Sequence, residues 1–157
     1  MREILFRAKR IDNGEWVEGC LVKYPSAIQI GSASPWYITV PPRDPDDNGG
    51  LYNVDPDTVC QYIGIRDKNG SRIFEGDLLD GFVYPYVSDD KHNYFAEVVW
   101  FDDVPAFGVQ IHKYKESRVS GICSGDTELI YTNSAHRWKI IGNVFDNPEL
   151  LEEKDAE

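Results

Sequence analysis

The chain has 157 residues, a length that suits one domain or two small ones sharing a core, and its 13% aromatic content supplies enough bulky apolar surface to exclude disorder over most of that length. Sixteen Lys and Arg face 27 Asp and Glu, so the net charge is −11, a field that repels phosphate backbones and disfavours generic nucleic-acid or anionic-membrane binding. Three cysteines (Cys20, Cys60 and Cys123) are odd in number, far apart and without a CxxC pair, which argues against a disulfide framework and for free thiols in a reducing cytoplasm. Residues 2–24 read as a hairpin. Ile4, Phe6 and Ala8 alternate with Glu3, Arg7 and Lys9, the period of a strand with one wet face. Asp12-Asn13-Gly14 supplies a tight turn, and Trp16 to Val22 returns as the second strand. Short strands follow at Ala27–Gly31 and Trp36–Val40, the latter stopped by Pro41-Pro42 because proline donates nothing to a ladder. Arg43 to Gly50 is a polar, exposed loop, and Val54–Val59, interrupted by Pro56, is a connector.

Beyond it comes a second hairpin: Cys60–Ile65, a turn at Asp67-Lys68-Asn69-Gly70, and Arg72–Leu79. A long loop is expected between Gly81 and Asn93, then strands at Tyr94–Phe101 and Ala106–His112, with a last strand at Trp138–Val144. Residues 113–126 carry no clear pattern. Asn147, Pro148 and Glu149 form a helix start, and Glu152–Glu157 frays. These elements predict a mostly β chain built as a small barrel or sandwich, with a soft boundary between subdomains over 1–59 and 60–146 and a short helical turn with a tail over 147–157. No GxGxxG, P-loop or alternating βα pattern is present, so no nucleotide cofactor is expected. No apolar leader precedes the charged first strand, and no apolar run reaches the ~18 residues of a membrane span.

Three segments in order carry a resemblance. The first is Met1-Arg2-Glu3-Ile4-Leu5-Phe6-Arg7-Ala8 with Gly14-Glu15-Trp16-Val17-Glu18-Gly19. The second runs from Gln61-Tyr62-Ile63-Gly64-Ile65 through Asn69-Gly70 to Ile73-Phe74-Glu75-Gly76-Asp77. The third is Ile141-Gly142-Asn143 with Asn147-Pro148-Glu149-Leu150-Leu151. Together they span nearly the whole chain and resemble the YopX family of phage and prophage proteins, with Ile63 standing where the family usually has Thr. The resemblance implies an SH3-type barrel in the C-terminal half and an N-terminal β subdomain. It implies no activity, because the family comes without an established active site.

Four groups of residues invite a functional reading. Glu75, Asp77 and Asp80 cluster in sequence, and on one extended strand the Cβ atoms of Glu75 and Asp77 would stand about 6–7 Å apart, a carboxylate-pair or divalent-metal spacing. Turn chemistry accounts for the same residues without catalysis: Gly76 bends the strand and Asp77 receives backbone N–H groups. Asp44, Asp46 and Asn48 with Gly49, and Asp55 at the twelfth position, match the start of a calcium loop, although Pro41-Pro42 and Pro56 exclude the usual flanking helices. Tyr84, Tyr86, Tyr94 and Trp100 are aromatics that would line a groove or fill a core. Arg2, Arg7, Lys9 and Arg10 gather basic groups in the N-terminal hairpin. His92, His112 and His136 are isolated, and a thiol–imidazole dyad of Cys60 or Cys123 with His112 would need the fold to assemble it.

The reading these features support first is a non-enzymatic module that holds a protein partner, a second copy of itself included. A metal-assisted hydrolase built on Glu75, Asp77 and Asp80 is the alternative of a different class. Nucleic-acid binding through the hairpin is the third, opposed by the net acidity.

Overall fold

A computed structural model describes residues 3–25, 33–42, 44–81, 87–88, 91–92, 94–114, 125–130 and 137–151, the side chains at 87–88 and 91–92 excepted. The architecture is mostly β: two antiparallel sheets, a minimal third hairpin and two single 3-10 turns, with no α-helix among the described residues. Accordingly none of the described helical segments is long and apolar enough to cross a membrane. The chain divides into two compact units, Met1–Gly64 and Ile65–Glu157. The expected strand at 27–31 lies outside the described residues.

In the N-terminal unit the alternation of Phe6 and Ala8 with Arg7 and Lys9 produces β1 (Phe6–Lys9). The Asp12-Asn13-Gly14 turn returns it as β2 (Trp16–Lys23), with Ala8 opposite Val17 and Lys9 opposite Trp16. β3 (Trp36–Val40) sets Ile38 against Leu21, and β4 (Gly50–Asn53) sets Tyr52 against Ile38. β5 (Cys60–Arg66) lies on the other side of β1. The order is therefore β4-β3-β2-β1-β5, and β6 (Arg72–Phe74) follows as the hairpin neighbour of β5. Ala8, Ile38 and Val54 are fully buried, with Phe6, Val17, Leu21, Trp36, Val40 and Val59 packed on them. Burying a side chain the size of Ile or Val contributes about 1.5–3 kcal/mol, so this face holds the sheet.

The connector at 54–59 is a 3-10 turn over Pro56–Thr58, capped when the Asp55 carboxylate accepts the Asp57 N–H at 3.0 Å. The Thr58 hydroxyl donates to the Asp55 carbonyl and accepts the Lys9 N–H, which binds the turn to β1. β4 begins where the sequence showed only loop. Its four residues contain two of low strand propensity, Gly50 and Asn53, and pairing with β3 overrides them.

In the C-terminal unit the stretch read as one strand over Arg72–Leu79 is two, β6 and β7 (Asp77–Asp80), separated by Glu75-Gly76. Gly76 has φ +75°, a value that costs other residues a steric penalty, and the chain turns there from one sheet into the other. The Gly76 N–H donates to the Val98 carbonyl at 2.8 Å and its carbonyl accepts the Val144 N–H at 2.9 Å, which pins the turn from two sides. β8 (Val87–Ser88) and β9 (Lys91–His92) pair with each other as a two-stranded sheet. β10 (Tyr94–Phe101) and β11 (Ala106–Lys113) form the longest hairpin, β12 (Thr127–Leu129) pairs with β11, and β13 (Lys139–Asn143) pairs with β7. The sheet order is β12-β11-β10-β7-β13.

Neither sheet closes on itself among the described residues, so the barrel expected over 60–146 is observed as an open antiparallel sheet with β12 and β13 at its two ends. Ile73, Phe74, Leu78, Leu79, Phe95, Ala96, Val98, Val109 and Ile111 are buried in this unit, and Trp138 joins them. Asp67, only 7% exposed, accepts backbone N–H groups from Asn69 (2.8 Å), Ser71 (2.9 Å) and Ile140 (3.2 Å), and so joins the β5–β6 turn to β13. The expected terminal helix is a single 3-10 turn over Pro148–Leu150.

Candidate functional site

The β10–β11 hairpin frames a hollow in the C-terminal unit. Its turn, Asp102 to Pro105, leaves the sheet just after Trp100 and Phe101, and β12 runs along the far side of β11. Between them lies a hollow of about 560 Å³ lined by Trp100, Phe101, Asp102, Asp103, Val104, Thr127, Glu128 and Leu129. That volume is in the range of sites that take a side chain or small ligand. Trp100 is 43% exposed, Val104 53% and Leu129 39%, and they are the only large hydrophobic side chains so exposed among the described residues of this unit.

Two packing details shape the floor. Trp100 meets Phe107 edge-to-face, ring centroids 4.9 Å apart, so its position is held by its cross-strand neighbour. Phe101 lies against the backbone of β11 at Gly108, where a Cβ would come within 2.1 Å of the Phe101 ring and 2.5 Å of the Glu128 carbonyl. Gly108 therefore lets the ring and β12 approach together. The rim carries three exposed carboxylates, Asp102, Asp103 and Glu128, and no Lys or Arg lines the hollow.

The acidic trio singled out in the sequence divides between a turn and strand β7. Asp77 is fully buried, and its carboxylate accepts the Phe74 N–H at 2.8 Å across the Glu75-Gly76 turn. Glu75 sits in that turn and not on the strand, so the extended-strand spacing of Glu75 and Asp77 does not apply. Asp80 is three residues along β7 from Asp77, a spacing that sends the two side chains to opposite faces, and its carboxylate accepts the Gly81 N–H at 2.7 Å.

In the acidic loop, Asp44 Oδ1 accepts the N–H groups of Asp46 and Asp47, Asp47 accepts from Gly49, and Asp55 caps the 3-10 turn. Asn48 precedes β4, which draws the second half of the calcium-like pattern into a strand. No group of three or more His, Cys, Asp and Glu that could hold a metal ion occurs among the described residues.

Of the four aromatics, Tyr94 is buried (4% exposed), Trp100 lines the hollow, and Tyr84 and Tyr86 lie outside the described residues. Cys123 and His136 also lie outside them, as does the side chain of His92. Cys60 is buried with its thiol toward the Thr58 carbonyl. His112 has a different partner. Its Nε2 is 3.0 Å from Glu97 Oε2, and its ring stacks on Phe95 at 5.2 Å. Sequence reading missed this pair although the signal was there: a hairpin centred on 102–105 sets Phe95 opposite His112 and makes Glu97 its diagonal neighbour.

The basic hairpin is already engaged with its own rings. Arg7 lies 4.7 Å and Lys9 5.5 Å from the Trp16 ring centroid, Arg10 lies 4.5 Å from that of Tyr52, and Lys23 lies 5.0 Å from that of Trp36. Arg10 also donates to Asp12 at 2.9 Å, a bond that raises the Arg10 pKa and holds the Asp12 carboxyl below its usual range.

The family model described as the YopX protein matches residues 5–152. The chain belongs to the YopX family. Among solved structures, protein EF1440 from Enterococcus faecalis is similar, with 20% sequence identity and a TM-score of 0.47 over 97% of this chain and 100% of that one. No curated protein matches the chain.

In this YopX chain the segments that carry the resemblance are mostly frame. Glu75-Gly76-Asp77 makes the pinned turn, and Asn143 Oδ1 accepts the N–H groups of Phe145 and Asp146 at 3.0 Å to turn the chain after β13. The hollow residues at 100–104 and 127–129 belong to none of those segments.

Proposed function

We propose that this YopX-family chain is a non-enzymatic protein-interaction module whose docking surface is the hollow between the β10–β11 turn and β12. One observation carries the reading: Trp100, Val104 and Leu129, the exposed large hydrophobic side chains described in the C-terminal unit, all line it. Exposed apolar side chains scattered singly need no explanation, whereas a rimmed cluster with a tryptophan at its centre has the character of a binding surface. An enzymatic use of Glu75, Asp77 and Asp80 draws less support, because the buried Asp77 serves the backbone of the turn. Nucleic-acid binding by the hairpin draws less support as well, because Arg7, Lys9 and Arg10 are engaged with rings and with Asp12.

The test is a random-peptide display selection on the intact protein. Docking at the hollow predicts that selected peptides move the backbone amide signals of residues 100–104 and 127–129 and lose about tenfold or more in affinity with Trp100→Ala. Val104→Asp, in an exposed turn, should weaken them too without disturbing the sheet. Selected peptides indifferent to both substitutions, or a selection that returns no binder, would overturn the reading.

A further inference from the structure

Three asparagines in the chain are followed by glycine: Asn13-Gly14, Asn48-Gly49 and Asn69-Gly70. Such pairs carry a latent reaction, because glycine has no Cβ to hinder its backbone nitrogen from closing on the preceding side-chain amide. All three asparagines are exposed, so access does not separate them. Their hydrogen bonding does. The Gly14 N–H closes its hairpin turn on the Arg10 carbonyl at 2.9 Å, and the Gly70 N–H closes its own on the Asp67 carbonyl at 3.0 Å. The Asn13 side chain is held at both ends, its Oδ1 accepting the Glu15 N–H at 3.0 Å and its Nδ2 donating to Glu15 Oε2 at 2.8 Å. Asn69 is tied to Asp67, whose Oδ1 accepts the Asn69 N–H at 2.8 Å and whose Oδ2 lies 3.5 Å from Asn69 Nδ2.

Asn48 is arranged otherwise. Among the described residues its side chain makes no hydrogen bond, and it follows the turn that the Asp47 N–H closes on the Asp44 carbonyl. The Gly49 N–H donates at 2.9 Å to a carboxylate oxygen, Asp47 Oδ1. A carboxylate at that distance is within reach of the nitrogen's proton, and it is a far stronger base than the carbonyls that receive Gly14 and Gly70.

We propose that Asn48 is a self-modification site, deamidated through Gly49 with Asp47 as general base. Gly49 N gives its proton to Asp47 and bonds to Asn48 Cγ. The bond from Cγ to Nδ2 breaks, and ammonia leaves with the proton that Asp47 returns. Water then opens the succinimide at either carbonyl, leaving an aspartate at position 48 or an isoaspartyl link to Gly49, and either product adds a negative charge. The isoaspartyl link lengthens the backbone directly before β4. Gly49 has φ +66°, and a Cβ there would come within 2.4 Å of the Val40 carbonyl oxygen, so little slack exists. That product should loosen the end of the ladder where Gly50 pairs with Val40.

The experiment keeps the intact protein in warm neutral buffer for days and follows each Asn-Gly pair by peptide mass mapping, reading the conversion of amide to acid. The peptide that holds Asn48 should convert about tenfold or more faster than those that hold Asn13 and Asn69. In concentrated urea the three rates should converge. Asp47→Ser keeps an acceptor for the Gly49 N–H but no base, and should slow conversion at position 48 about tenfold while the other two pairs keep their rates. Asp47→Glu returns a carboxylate and should recover part of the loss.

Equal rates at the three pairs in the folded protein, or a lead for Asn48 that persists in urea, would overturn the proposal. So would equal conversion at position 48 in Asp47→Ser and Asp47→Glu.

Discussion

Trp16 in the N-terminal unit and Trp100 in the C-terminal unit both stand beside hairpin turns, at the start of β2 and near the end of β10. Their surroundings are opposite. Across the strand pair from Trp16 is Lys9, and Arg7 reaches the same ring; across from Trp100 is Phe107, and the adjoining turn supplies two aspartates. In the first region cations and rings are matched within the chain, which spends them on holding a small sheet together. In the second, a ring and apolar side chains collect beside the exposed Asp102 and Asp103, with no Lys or Arg in the lining of the hollow. The buried acids make the same point from inside: Asp67 and Asp77 are matched by backbone N–H groups, whereas Asp102 and Asp103 stand exposed in a turn.

The largest effect expected of any test is Asp77→Ala. It strips the buried Phe74 N–H of its acceptor, and urea unfolding should show a loss of about 2–4 kcal/mol. Neutralising the rim with Asp102→Asn and Asp103→Asn should leave the same midpoint unchanged or slightly raised; a loss comparable to that of Asp77→Ala would erase the distinction between matched and unmatched acids. Gly108→Ala should cost about 1–3 kcal/mol, because its methyl group meets both the Phe101 ring and the backbone of β12, and it should weaken peptide binding at the hollow by displacing that floor. A variant as stable as the parent would show that the floor is more compliant than its packing implies.

Smaller still is the contrast between the two rings. Trp16→Leu should lose about 0.5–1 kcal/mol of cation–ring stabilisation beyond its packing, and Trp100→Leu should lose no such contribution, as compared by thermal unfolding in low and high salt. The smallest effect belongs to Asp12, exposed but hydrogen-bonded to Arg10. Its folded-state pKa lies below the unfolded value, so the unfolded chain binds the extra proton in acid. The pair's contribution to stability is present above about pH 4 and disappears as pH falls through the lowered folded value. A carboxyl titration midpoint for Asp12 at or above the ordinary aspartate value would contradict the pairing.

Much of the frame was legible because it depends on local chemistry. Alternation at Phe6–Lys9 and Tyr94–Phe101, turn residues at Asp12-Asn13-Gly14 and Asn69-Gly70, and the role of Asp77 as a backbone acceptor all follow from neighbours in the chain. The break at Glu75-Gly76 was half visible: glycine announced a bend, but a break into strands of two different sheets needed Val98 and the backbone after β13 to receive it. β4 was invisible, since Gly50 and Asn53 acquire strand geometry only from β3.

Composition and pattern by themselves determined that this chain is mostly β, acidic, cored by aromatic and β-branched residues, and of the YopX family. Those properties are written in single residues and short runs. Tertiary structure alone decided which charges meet which rings, that the C-terminal sheet stays open among the described residues, and that segments 100–104 and 127–129 share one hollow. The physical reason is pairing register: β11 lies between those segments, and only hydrogen bonding of β10 and β12 to its two edges brings Trp100 and Leu129 to the same place.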